Sequence, residues 1–356
     1  RGTKMRNKRL LAVILSLVAL LALAACGAEP AEESTAPSPA GSPESPSAEE
    51  SPEAVGPDTG LEIDIMVLNG TTGFGMAPLI ASAEAGEAAL NYSFSVETDA
   101  SIVSAAMING DADIAALPTN AAATLYNRTE GDVQLLALNT LGVLYLVSDG
   151  SVEVSSVEDL RGQTVYAPAQ NPTFIFQYIC EQNGLAVGED VIIDNTYAQP
   201  AELNAAAASG TVSLAVLPEP MVTIARSQNE SLSVALDLTA EWDAVAPEGS
   251  LVQGCVVVSR AFAEEHPAEL SQFLADYGAS VESVIDDPES AAADIAAAGV
   301  FAQEAVAAKA IPNCNLCFIA GEEMRSAMEE FLNIMYAVAP ESIGGAVPDG
   351  GFYYLA

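Results

Sequence analysis

From Leu61 onward, short apolar runs alternate with longer stretches whose apolar residues recur at helical spacing. The run EIDIMVL at 62–68 is rich in β-branched residues and bounded by polar ones, so it predicts a strand. Residues 71–89 predict a helix opened by Thr71 or Thr72, and 92–97 a second strand. A helix at 102–109 closed by Gly110, a short buried strand at 112–117 ended by Pro118, and a helix at 118–127 follow. Strands are predicted at 133–139, 144–148, 164–167, 191–195, 213–217, 232–236 and 251–259. Between them lie a helical turn at 157–160 and helices at 173–183 and 200–209, the last two closed by Gly184 and Gly210. After Arg260 the pattern is helical at 261–285, 288–299, 302–310 and 321–338. Strands alternating with helices of this size indicate an α/β fold with mostly parallel sheets flanked by helices.

The order of elements repeats. Strand, helix, strand, helix, strand and proline occur at 62–118 and again at 164–218. The endings ADIAALP (112–118) and VSLAVLP (212–218) match, and each follows a helix closed by glycine. The repeat implies two similar lobes, with boundaries expected at 61–141 plus 251–356 for the first and 142–250 for the second. The crossing strands are expected near 139–144 and 251–257, with the helical tail packed back on the first lobe. Ligands of open α/β sheets sit beyond the carboxyl ends of the strands. Those ends are the loops 69–74, 117–120, 167–174 and 217–220.

The first 60 residues are of another kind. A basic stretch holding Lys4, Arg6, Lys8 and Arg9 precedes an apolar run at 10–25, and LLALAAC ends at Cys26. This is the layout of an export signal, and the run is too short for a membrane span. Met5 is the expected start, with residues 1–4 read as upstream sequence. The Cys after Leu-Ala-Ala resembles the lipobox of bacterial lipoproteins. That resemblance implies cleavage after residue 25, lipid on Cys26, and a protein tethered at the outer face of the bacterial cytoplasmic membrane. Residues 27–60 are Ala, Glu, Ser and Pro with almost no larger aliphatic residue. Such a chain buries too little apolar surface to offset the entropy of ordering, so it reads as a spacer.

The sequence holds 11 Lys and Arg against 49 Asp and Glu, a net charge of −38. Five of the basic residues precede Cys26, which leaves 6 against 49 and a net charge of −43 after cleavage. Nucleic acid is excluded as a partner, because its phosphates need clustered Lys and Arg. Cys314 and Cys317 have C-x-x-C spacing, but no second ligand pair accompanies them and the single histidine is His266. Buried thiols or a structural disulfide are the expected readings, and no metal or cofactor is expected.

The chain resembles the ABC-importer substrate-binding proteins for aliphatic sulfonates, taurine, nitrate and thiamine precursors. The resemblance rests on NGTTGFGMAP (69–78), NGDADIAALPTN (109–120), VEDLRGQTV (157–165) and LAVLPEPM (214–221). It implies a two-lobe periplasmic-binding-protein fold of type II, a ligand in the cleft, and permease and ATPase partners. IPNCNLC (311–317) and SIGGAVP (342–348) look like marks of a subgroup. The family's arginine ligands for sulfonate or nitrate do not map onto this chain. The alternative is an enzyme on the same fold, since the family is also similar to a thiamine pyrimidine synthase that consumes its own histidine and needs iron. With His266 alone, and that in an acidic setting, no catalytic set can be built.

Candidate ligand residues follow from the four loops. Asn69, Thr71, Thr72 and Phe74 sit in the Gly-rich opening, where free N–H groups can meet a ligand. Thr119 and Asn120 repeat the device after Pro118. Gln170, Asn171 and Phe174 supply polar groups and an aromatic wall from the other lobe, and Phe74 is a second candidate for stacking. Glu219, between two prolines, is either a ligand for an amine or a carboxylate stabilising a helix start. None of the six basic residues beyond Cys26 falls in these loops. The expected ligand is therefore a neutral or partly cationic organic molecule such as a nitrogen heterocycle, with sulfonate or nitrate disfavoured.

Overall fold

The computed structural model describes residues 58–355. The predicted export signal, Cys26 and the spacer up to residue 57 lie outside the described residues. The first run of elements is β1 (Glu62–Leu68), α1 (Thr71–Phe74), α2 (Ala77–Glu84), β2 (Asn91–Glu97), α3 (Ala100–Asn109), β3 (Ile114–Pro118), α4 (Thr119–Arg128) and β4 (Val133–Thr140). Next come β5 (Leu144–Ser148), a 3-10 turn at Val157–Leu160, β6 (Thr164–Tyr166), α5 (Asn171–Gln182) and β7 (Ile192–Asp194). They lead to α6 (Pro200–Ala208), β8 (Leu214–Pro218), α7 (Met221–Gln228), β9 (Ser233–Asp237) and α8 (Leu238–Asp243). The chain ends with β10 (Gly254–Ser259), α9 (Arg260–Glu265), α10 (Pro267–Asp286), α11 (Pro288–Ala297), α12 (Glu304–Ala310), β11 (Leu316–Ile319) and α13 (Gly321–Val338).

These strands form two sheets flanked by helices. The orders are β2-β1-β3-β10-β4-β11 and β7-β6-β8-β5-β9. Each is mixed where the sequence predicts mostly parallel pairing. In the first sheet β10 runs antiparallel between β3 and β4. In the second, β5 runs antiparallel between β8 and β9. Each inserted strand directly follows a passage of the chain from one sheet to the other, at 141–143 and at 244–253. The chain is tightly packed here: a side chain at Gly142 in the first passage would run into Thr239 and Leu251, and one at Gly254, where the second passage enters β10, into Asn139 and Thr140.

The predicted helix at 71–89 is broken into α1 and α2. Its glycines explain the break, because they admit close neighbours. A Cβ at Gly75 would lie 2.7 Å from Val281 Cγ2 of α10, and one at Gly73 would meet Leu68 O and Val300. Three elements, α7, α8 and β11, fall where no element is predicted. The apolar face of α13 follows helical spacing, with Met324, Met328, Phe331, Leu332 and Met335 buried. It packs on both β4 and α5, and Phe331 meets Trp242 of α8 at 6.1 Å between ring centroids. The tail helix therefore touches a strand of the first sheet and helices that flank the second. Among the described residues no helix is long and apolar enough to cross a membrane.

Candidate functional site

A cavity of about 250 Å³ lies at the carboxyl ends of the strands. Thr71 and Thr72 line it from the loop after β1, Pro118 and Asn120 from the loop after β3, and Thr140 from the end of β4. Across from them stand Val143, Gln170, Asn171 and Pro172, and Gln253 completes the wall from the second passage between the sheets. The structure thus brings together Thr71, Thr72, Asn120, Gln170 and Asn171 of the predicted residues.

Local chemistry explains the arrangement. Pro118 holds an extended backbone at φ −61° and ψ 144°, so β3 turns directly into α4 at Thr119. Proline in the first turn likewise starts α5 at Asn171. Both helices open at the cavity, which gives it two positive dipole ends and suits an electron-rich ligand atom such as a carbonyl oxygen or ring nitrogen. Asn139 Nδ2 donates to Thr72 O at 3.0 Å and fixes the first loop. Val143 N donates to Gln253 Oε1 at 2.8 Å, so the two passages are tied to each other beside the cavity. Asn171 is only 9% exposed, and its Oδ1 is buried with no hydrogen-bond partner in the protein. A buried acceptor without a donor is costly, and a ligand N–H would satisfy it.

The other predicted residues take different places. Asn69 is exposed and does not line the cavity, while its backbone N–H donates to Glu97 O at 2.8 Å. Phe74 is fully buried against Phe301 in the apolar cluster behind the first sheet. Stacking on a ligand is not open to it, because the last residue of α1 turns its ring into that cluster. Thr119 is fully buried and its hydroxyl donates to Val252 O at 2.8 Å, which ties α4 to the second passage. Phe174 is half-buried against the main apolar cluster rather than in the cavity.

Glu219 is 4% exposed. Its carboxylate accepts from Thr223 N at 3.1 Å and Thr223 Oγ1 at 3.0 Å, which caps the first turn of α7. Burial raises its pKa above the ordinary carboxylate value, opposed by the Thr223 hydrogen bonds, the charge of Arg226 and Asn313. Of its two sequence readings, the helix-stabilising one matches this geometry. Thr140, Val143 and Gln253 were not expected in the site, because the two passages meet only once the sheets are assembled.

Larger cavities exist among the described residues. One of about 870 Å³ is lined by Asp113, Asp132, Arg260 and His266. These residues precede β3 and β4 or follow β10, so the groove lies at the opposite ends of the strands, where neither α4 nor α5 opens. Another of about 440 Å³ holds Arg226, Glu230 and Lys309. The strand-end cavity is the better ligand site despite its size, since the starts of α4 and α5 and an unpartnered buried acceptor meet there. No basic residue lines it. Cys180, Cys255, Cys314 and Cys317 are free thiols. Cys314 Sγ donates to Ala310 O at 3.2 Å, and burial raises its pKa, as does the nearby charge of Glu219. Among the described residues no group of three or more His, Cys, Asp or Glu is placed to hold a metal.

The family model described as NMT1/THI5 like matches residues 86–291, more than half of the chain. The chain belongs to the NMT1/THI5-like family. Solved structures share the fold of this family member. An ABC transporter protein from Parabacteroides distasonis superposes with a TM-score of 0.71 at 24% identity, over 83% of this chain and 99% of that one. The periplasmic aliphatic sulphonate-binding protein of Escherichia coli gives 0.64 at 15% identity, over 82% and 92%. The periplasmic nitrate-binding protein of Synechocystis gives 0.51 at 12% identity, over 68% and 67%. No curated protein matches this NMT1/THI5-like chain in sequence.

Proposed function

We propose that this protein is an extracytoplasmic solute-binding lipoprotein that captures a small organic molecule between its lobes and delivers it to the permease and ATPase of an ABC importer. Cys26 carries the lipid, and residues 27–60 hold the folded part away from the membrane. The lobes are 61–141 plus 251–356 and 142–250, joined at the two passages, and they close on the ligand. The protein alters nothing chemically. Its one histidine, His266, lines the far groove and not the strand-end cavity.

The ligand is a neutral or partly cationic molecule that offers both an acceptor edge and an N–H, as an amide or nitrogen heterocycle does. Asn171 carries this reading, since its buried Oδ1 calls for a donor. The two helix starts favour the acceptor edge, and the lack of a basic side chain in the wall disfavours sulfonate and nitrate. A thermal-shift screen of sulfonates, nitrate, pyrimidines and flavins tests it. A true ligand at 100 times its Kd stabilises the protein by about 2.7 kcal/mol, and it returns intact when the complex is denatured. A sulfonate or nitrate as the best ligand, or a chemically altered ligand on denaturation, would overturn it.

A further inference from the structure

A second cavity, of about 360 Å³, adjoins the first, and Asn120 and Gln170 line both. It runs between α3 and α4. Ser104, Ala105, Ala121 and Thr124 form part of its walls, so small and mildly polar side chains line that stretch. Arg128 and Glu341 also line it, and so does Ser342, whose hydroxyl is buried without a partner.

Gln170 stands at the junction in an unusual conformation. Its φ is 70° and its ψ −134°. Glycine adopts such angles freely and residues with a side chain resist them. A glutamine held there at a strain, and exposed where the two cavities meet, has a use for its side chain that glycine could not serve.

We propose that the ligand has two parts, and that the groove between α3 and α4 is a subsite for the second. A polar ring or amide head occupies the strand-end cavity. A slender uncharged tail leaves it between Asn120 and Gln170 and lies along the groove. Gln170 is the specificity residue that reads the link between them. This rests on the head cavity being the ligand site, as proposed above.

Calorimetry on the full folded protein tests the inference with cytosine, adenine and 4-aminopyrimidine, each bare and each carrying a butyl or hydroxybutyl chain. Ala105, exposed on α3, allows the groove to be filled by Ala105→Trp without touching the apolar core or the head cavity. At least one chained ring is expected to bind about tenfold tighter than its bare form. Ala105→Trp should erase that gain while bare-ring affinity stays within about twofold. Gln170→Gly should keep or raise the melting temperature of the free protein while the chain's gain falls. If bare rings bind but the chain adds nothing, or its gain survives Ala105→Trp, the groove subsite is wrong and the head cavity stands. If no ring binds, bare or extended, both are overturned.

Discussion

Replacing Asn171 by alanine separates a binding residue from a structural one. The side chain lies at the start of α5, 9% exposed, with Oδ1 buried and unpartnered. An unsatisfied buried polar group costs about 1–3 kcal/mol, so its removal relieves the folded protein. The loss of a few packed atoms offsets part of that relief. Alanine at the first position of a helix is otherwise harmless. The net expectation for the free protein is a change between zero and about 2 kcal/mol of added stability, read by urea denaturation. Binding should move the other way. One lost ligand hydrogen bond is worth about 0.5–1.5 kcal/mol, which is about two- to twelvefold in Kd by calorimetry on the best ligand of the screen. A variant that is less stable by 1 kcal/mol or more on this scale, with unchanged affinity, would refute the reasoning and make Asn171 a structural residue.

Three further outcomes are expected. Burial raises the Glu219 pKa above its ordinary 4.5, so its contribution to stability is full below that pH and is lost as pH rises above it. Glu219→Gln removes this loss, and its stability relative to the parent should rise between pH 4 and pH 7 in paired denaturation curves; a flat difference would contradict the cause. Phe331→Ala should cost about 3–5 kcal/mol, because the ring is fully buried against the main apolar cluster. It should also shift the emission of Trp242, the sole tryptophan of the sequence, while an unchanged spectrum would deny the contact. Cys26→Ser should release the protein from membranes into the soluble fraction without changing its melting temperature, and a variant still sedimenting with membranes in detergent-free buffer would sink the lipid tether.

Apart from β11, the strands of both sheets were legible because their apolar runs are short and bounded. The half-buried positions of β11, and its overlap with a C-x-x-C pair that draws attention to sulfur chemistry, hid that strand in the sequence. The break between α1 and α2 was hidden too, since it depends on Val281 and Val300, which lie more than 200 residues away. Loop position located Thr71, Thr72, Asn120, Gln170 and Asn171 at one cavity. It could not tell that Phe74 and Thr119 face inward, because where a side chain at either end of a short helical turn points depends on the sheet behind it. Gln253 and Val143 were invisible for a different reason: they belong to passages that meet only in the assembled fold.

The most direct test of the whole account is a crystal structure of the protein soaked with its best ligand from the screen. The account predicts the molecule at the strand ends, with an N–H at hydrogen-bond distance from Asn171 Oδ1 and contacts to Asn120 and Thr72. Density instead in the groove lined by Asp113, Arg260 and His266, or beside Arg226 and Lys309, would contradict it.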